Sequence, residues 1–206
     1  NKVLLRFALA KELEDIGHYS ESFAQLNQAT ATVRESIKYD VADDLRVIHE
    51  IIRQHSAASL RSLSEGFPGA SPIFIVGLPR SGTTLVERVL ATHKGVVSVG
   101  EQTFFANALI SKFNKTFGGG KDSRFEMVSK ALKLNMKILG QDYIEQVYRL
   151  LPHDGRVVDK MPINYLYCGL IHAALPNAQI IAVSRHPMDS CYAAFKAYLR
   201  GPYPFT

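Results

Sequence analysis

No stretch of the 206 residues stays apolar for the roughly 18 positions that a membrane-spanning helix needs. The longest apolar runs, around 73–78 and 179–184, have the length of strands. Cysteine is nearly absent. Cys168 and Cys191 form no C-x-x-C pair and show no metal-ligand spacing, so both read as reduced thiols and neither a disulfide framework nor a zinc ribbon is expected. Charge of one sign is also scarce. Twenty-four Lys and Arg against 19 Asp and Glu leave a formal charge of +5, and the basic residues are scattered. That excess suits an anionic small ligand, and without a basic run no nucleic-acid partner is expected.

What is present is a globular mix, 47% hydrophobic and 21% charged, long enough for one core and a small appendage. A soluble chain is predicted, with the cytoplasm as its expected compartment. Because the chain opens at Asn1, the natural start and any targeting peptide are expected upstream. The turn-rich residues 201–206 follow a predicted helix directly, which implies that the natural protein continues beyond Thr206.

Two organisations succeed one another along the chain. Residues 3–16 and 18–35 read as consecutive amphipathic helices with an easy stop at Gly17. Leu13, Gly17, Tyr19, Phe23 and Ala29 resemble the packing positions of a single tetratricopeptide repeat (TPR). One repeat cannot bury both faces, so it should dock on the main domain or close a longer array, and it offers a surface for a protein partner. With a third helix at 41–55, residues 1–55 form a helical TPR-like segment. Residues 56–71, rich in Ser, Gly and Pro, read as a linker. From 72 to 206 short β-branched runs alternate with helical periodicity. Strands are predicted at 73–76, 96–99, 156–158 and 179–183, and helices at 82–92, 101–113, 124–139, 141–151, 163–175 and 188–199. The fold class is therefore α/β, a P-loop-type parallel sheet flanked by helices. Gly118, Gly119 and Gly120 have no buried strand before them and read as a surface turn.

The chemistry is concentrated where the first of these strands meets its helix. Gly77-Leu78-Pro79-Arg80-Ser81-Gly82-Thr83-Thr84 is a glycine-bounded loop that opens a helix, an arrangement that gathers free N–H groups and a helix dipole around an anion. Gly77 and Gly82 have the spacing of the loop G-x-x-x-x-G-K-[ST], but Thr83 stands where the lysine belongs. Phosphoryl transfer normally relies on that lysine; a sulfuryl group carries less charge and fits its absence.

The string Pro79-Arg80-Ser81-Gly82-Thr83-Thr84-Leu85 resembles the 5′-phosphosulfate loop of sulfotransferases that use 3′-phosphoadenosine 5′-phosphosulfate (PAPS). Val157 to Pro162 and Leu175 to Ser190 extend the likeness, which is nearest to tyrosylprotein sulfotransferases and to bacterial TPR-linked sulfotransferases. The resemblance implies that Arg80, Ser81, Gly82, Thr83 and Thr84 hold the donor's 5′ end, with adenosine 3′,5′-bisphosphate as product and no metal. It also implies that Arg185 holds the 3′-phosphate. The family's partner serine falls at Ala193 here, so Ser190, at the start of the same helix, is assigned in its place. For catalysis it implies Glu101 as general base and Arg80 as a stabiliser of the leaving phosphate; Lys160, just after a strand at the sheet edge where open α/β sheets bind ligands, is placed to stabilise the same charge. Gly100-Glu101-Gln102 stands where tyrosylprotein sulfotransferases carry two glutamates; Glu101 is assigned as the base, and Gln102 is the counterpart of the second glutamate. Ion pairing of Lys160 with Asp159, and of Arg185 with Asp189, are the alternatives for those two cations. His93 and His186 lack an acidic partner or second ligand, so structural roles are assigned to both. The acceptor is a hydroxyl on a peptide tyrosine, a sugar or a small alcohol. A P-loop kinase for small molecules and a TPR-linked binding module without chemistry are the rival functions.

Overall fold

The computed structural model describes residues 2–35, 37–120, 122–151 and 155–198. The chain divides into two compact units, one of Asn1–Val41 with Arg185–Thr206 and the other of Ala42–Ser184. The predicted boundary after residue 55 is thus not the boundary of compactness. The third helix and the expected linker belong to the unit that contains the sheet, while the last helix belongs with the first two.

The sheet holds four strands, β1 (Ile73–Gly77), β2 (Val96–Gly100), β3 (Arg156–Asp159) and β4 (Gln179–Val183), all in parallel pairs in the order β2-β3-β1-β4. Each predicted strand is present. The near-continuous apolar sequence of β1 reflects cover on both faces. Because successive side chains alternate, Phe74 and Val76 face one layer and Ile73 and Ile75 the other. On the first face they meet helices α6 (Phe104–Phe117), α8 (Met136–Leu150) and α9 (Cys168–Ala174) through Phe105, Leu109, Tyr143, Val147 and Ile171. Phe74, Phe105 and Tyr143 form an aromatic cluster with centroids 5.3–6.2 Å apart. On the second face Val158 joins Ile73 and Ile75 against Val86 and Leu90 of α5 (Thr83–Ala91). Parallel pairing brings the ends Gly77, Gly100, Asp159 and Val183 to one edge, where open α/β sheets bind their ligands.

The expected linker is docked. Ser56 caps the short helix α4 (Ala57–Arg61), its hydroxyl accepting from the N–H of Ser59 at 3.1 Å. Further on, the N–H of Phe67 donates to the Ala174 carbonyl at 2.7 Å, and Leu63, Phe67 and Ala70 pack on the core. Helix α3 (Val41–Gln54) also belongs to this unit. Its buried Glu50 accepts from Arg53, Gln54 and Ser129.

Several helix limits differ from the predicted ones. The run predicted at 124–139 is two helices, α7 (Arg124–Ala131) and the start of α8, because Asn135 caps α8 by accepting from the N–H of Ile138 at 3.0 Å. Helix α8 continues through Gly140, which composition had marked as a stop. The predicted helix 163–175 begins as a 3-10 helix, Pro162–Tyr167, before α9. The glycines at 118–120 end α6, with Gly118 as its left-handed cap.

In the other unit α1 (Lys2–Asp15) and α2 (Tyr19–Glu35) form a hairpin across Gly17. Ala10, Leu26 and Ala29 are buried, and the Ser22 hydroxyl donates to the Ala10 carbonyl at 2.7 Å. Helix α10 (Pro187–Phe195) packs on the hairpin: Phe23 meets Phe195 at 5.8 Å and Lys196 pairs with Glu14 at 2.7 Å. The predicted end of this helix at Leu199, and residues 201–206, lie outside the described residues.

Gly140 gives a test of the packing of the first layer. A Cβ there would lie 2.3 Å from the Ala174 carbonyl oxygen and 2.9 Å from Phe67 Cβ. Alanine gains about 1 kcal/mol of helix propensity, but overpacking against a backbone oxygen costs about 1–3 kcal/mol and should win. Gly140→Ala is expected to lower the urea midpoint at unchanged m-value. An equal or higher midpoint would show that α8 and α9 separate without cost.

Candidate active site

The loop from β1 to α5 is under local constraint. A Cβ at Gly77 would sit 2.4 Å from the Val183 carbonyl oxygen and 2.9 Å from Ser81 Oγ, so no side chain fits there. Arg80 has φ 69°, the one positive φ of a non-glycine among the described residues, a conformation that costs on the order of 1–3 kcal/mol. Gly82, the N-cap of α5, has φ 105° and supplies no side-chain cap. The N–H groups of Thr83 and Thr84 therefore have no capping side chain, while the N–H of Leu85 donates to the Gly82 carbonyl at 3.0 Å. Ser81 Oγ is buried without a hydrogen-bond partner, which costs about 1–3 kcal/mol. Thr83 is buried, while Arg80 and Thr84 are exposed. Strain at Arg80, an uncapped helix start and an orphaned hydroxyl coincide in one loop, a combination whose chemistry suits an anion with acceptor oxygens.

Glu101 and Lys160 come together at the same sheet edge. The Lys160 ammonium donates to Glu101 Oε1 at 2.5 Å and lies 3.5 Å from Glu87 Oε2. The Lys160 side chain is 6% exposed and that of Glu87 13%, whereas Glu101 is 55% exposed. Glu101 does not begin a helix as predicted, since α6 starts at Phe104. It sits in a turn after β2 in which the N–H of Gln102 donates to the Gly100 carbonyl at 3.2 Å. The carboxylate is thus held by a lysine rather than by a helix dipole. The predicted alternative for Lys160, a pair with Asp159, is replaced by these two carboxylates. Lys160, the residue after the end of β3, continues the alternation of the strand, turning toward Glu87 of α5 while Asp159 turns toward Tyr143 of α8.

Asp159 is fully buried. It accepts from the Tyr143 hydroxyl at 3.1 Å and from Asn164 Nδ2 at 3.3 Å. Burial pushes its carboxyl from 3.8 up to about 7, with the Tyr143 hydrogen bond pulling the other way. Burial, together with the Asp159 charge, also raises the Tyr143 phenol well above 10.0.

Three of these residues were missed from sequence. Glu87 is the single acidic residue of α5, between the core residues Val86 and Leu90 at near helical spacing, and that contrast was the available signal. Tyr143 and Asn164 carried no local signal. Arg185 and Ser190 lie in the other compact unit. Arg185 Nε is 3.5 Å from Asp189 Oδ2 with both side chains about half exposed, a pair of little energetic weight. Ser190 is buried in α10, one turn after His186, whose carbonyl accepts its N–H at 3.1 Å. Among the described residues no three His, Cys, Asp or Glu side chains gather as metal ligands, and no helix is long and apolar enough to cross a membrane.

A parallel α/β sheet with a glycine-bounded loop at the C-terminal edge defines the class as a P-loop-type α/β fold. Comparison with known proteins is more specific: the sulfotransferase family profile matches residues 72–205. The chain belongs to the sulfotransferase family, and sulfuryl transfer is the general activity that membership supports. It is also similar to an uncharacterized protein of Aquifex aeolicus (strain VF5), 34% identical over 186 residues, which is 89% of this chain and 24% of that relative. No solved structure matches the chain.

The buried carboxyl predicts a pH signature. Between about pH 4 and pH 7 the folded protein holds a proton on Asp159 that the unfolded chain has released, so stability falls as pH rises through that window. The fall amounts to a few kcal/mol, at about 1.4 kcal/mol for each pH unit. Asp159→Asn should flatten the dependence, measured by urea unfolding from pH 4 to 8. An unchanged slope would show that Asp159 is charged throughout.

Proposed function

We propose that the chain transfers a sulfuryl group from PAPS to an acceptor hydroxyl and releases adenosine 3′,5′-bisphosphate. The observation that carries this reading is the buried, unpartnered Ser81 hydroxyl in a loop strained at Arg80 and opened at Gly82. Those features suit phosphate oxygens, and membership of the sulfotransferase family selects the phosphosulfate over a nucleoside triphosphate. In this scheme Ser81, Gly82, Thr83 and Thr84 bind the 5′-phosphate. Arg185 and Ser190 bind the 3′-phosphate that distinguishes the donor from ordinary adenine nucleotides. Residues 72–206 are the catalytic domain, and the α1–α2 hairpin is a TPR-like appendage able to take a protein partner.

In the transfer step the Glu101 carboxylate accepts the proton of the acceptor O–H. The acceptor oxygen bonds to sulfur while the bond from sulfur to the 5′-phosphate oxygen breaks. Charge then grows on the leaving phosphate, and the guanidinium of Arg80 and the ammonium of Lys160 neutralise it. Glu101 is the most exposed member of its cluster, which suits a group that must meet an incoming acceptor. The acceptor is a peptide tyrosine, a sugar or a small alcohol, following the resemblance to tyrosylprotein and TPR-linked sulfotransferases.

Calorimetry tests the donor. The protein should bind adenosine 3′,5′-bisphosphate and not ATP with magnesium; the reverse preference would favour a kinase. Gly82→Val should abolish that binding in a folded protein, because a β-branched residue does not adopt φ 105°. Arg185→Ala should weaken the bisphosphate far more than AMP, and equal losses would remove Arg185 from the 3′-phosphate.

Catalysis is tested separately with radiolabelled PAPS. Glu101→Gln should leave donor affinity nearly unchanged and lower turnover by about 10²-fold or more, whereas Arg80→Ala should damage both. Wild-type turnover in Glu101→Gln would move the base to another group.

A further inference from the structure

We propose that Glu87 is a positioning residue for sulfuryl transfer, holding the Lys160 ammonium with one carboxylate oxygen and the Glu101 turn, through Ser98, with the other. The proposal rests on the catalytic roles given above to Lys160 and Glu101. Glu87 lies one turn beyond Thr83 on α5, so it belongs to the same helix whose N-terminus closes the phosphate loop. Its Oε1 accepts from the Ser98 hydroxyl on β2, and Ser98 Oγ in turn accepts from the N–H of Gly100 at 3.0 Å. The Gly100 carbonyl takes the N–H groups of Lys160 and Gln102, each at 3.2 Å. One carboxylate therefore ties together the helix of the donor loop, the turn that carries Glu101 and Lys160, just beyond the end of β3.

Burial separates the two acidic partners of the lysine. Glu101, half exposed, is the carboxylate that can turn to an acceptor; Glu87 is enclosed beside the ammonium. When Glu101 takes the acceptor proton it loses its charge, and Lys160 would be left uncompensated in a nearly dry site. Glu87 keeps the ammonium paired through that step and near the sheet edge where the leaving phosphate develops its charge. Its own oxygens touch neither donor nor acceptor in this scheme, so its effect should fall on turnover rather than on binding.

Glu87→Gln keeps the volume and an oxygen for Ser98 but removes the charge; Glu87→Ala removes both. Turnover with PAPS should fall about 10-fold in the first and about 10²-fold in the second, with the KM for PAPS and the affinity for adenosine 3′,5′-bisphosphate within about threefold of wild type. A second measurement needs no turnover. Modification of Lys160 by an amine-acylating reagent, followed by mass spectrometry against the other lysines, should be several-fold faster in both variants. Wild-type turnover and wild-type labelling in Glu87→Gln would overturn the proposal. So would weaker donor binding with unchanged turnover, which would make Glu87 a donor-site residue. Absence of transfer by the wild-type protein would instead count against the sulfuryl-transfer function. In that case wild-type labelling in the variants would overturn the role of Glu87, and faster labelling would uphold its hold on Lys160.

Discussion

Alternation along β3 is the constraint on which the site depends. Asp159 and Lys160 are neighbours in sequence with opposite charge, yet the pleat sends them to opposite sides of the sheet and denies them each other. Each then needs a partner from a different layer. Asp159 takes Tyr143 from α8 and Asn164 from the 3-10 helix. Lys160 takes Glu87 from α5 and Glu101 from the turn after β2. A single strand end thus cross-links both helical layers to the sheet edge. The two sides differ in character: a carboxyl held near neutrality among apolar neighbours on one, a compensated ion cluster beside the donor loop on the other. The cluster also illustrates why buried charges come in groups, since removing Lys160 would leave the enclosed Glu87 without compensation.

The loop between β1 and α5 shows a second kind of organisation, in which local cost is concentrated rather than dispersed. A left-handed arginine, a glycine cap and an unpartnered hydroxyl lie within three consecutive residues. Each would be selected against in an ordinary strand-to-helix turn, because cheaper turns with a Ser or Asp cap exist. Their coincidence makes sense where the missing hydrogen bonds are supplied by a ligand. The close approach of Val183 to Gly77 adds that the loop is braced by the neighbouring strand and is not free to relax away from the strained geometry.

Sulfotransferase membership covers the sheet-bearing part and reaches into α10, whereas the helical hairpin lies outside the matched residues. The hairpin has its own small core and its own ring contacts with α10. The chain spans 24% of the length of its Aquifex relative, so substrates and partners of that longer protein are a separate matter from the chemistry of this sheet edge.

The α/β class, the four strands, the glycine-bounded loop between β1 and α5 and the family were legible in the sequence because each is written in local pattern: β-branched runs for strands, glycine spacing for the loop, a seven-residue string for the family. Helix limits were less legible. Asn135 broke a predicted helix because its side chain outcompeted the backbone as a cap, and Gly140 continued one because close packing, not chain termination, requires its missing Cβ. Residues 56–71 looked like a linker, and only their docking on Ala174 makes them part of the core. That Lys160 pairs with both Glu87 and Glu101 was not legible in the sequence. Glu87, Glu101 and Lys160 are far apart along the chain, and only parallel pairing of β2, β3 and β1 brings their ends to one edge. The sequence by itself determined the four strands and the glycine-bounded loop that follows the first of them. Tertiary structure decided which of them meet, because strand alternation and sheet order, unlike local pattern, are properties of segments that have already found one another.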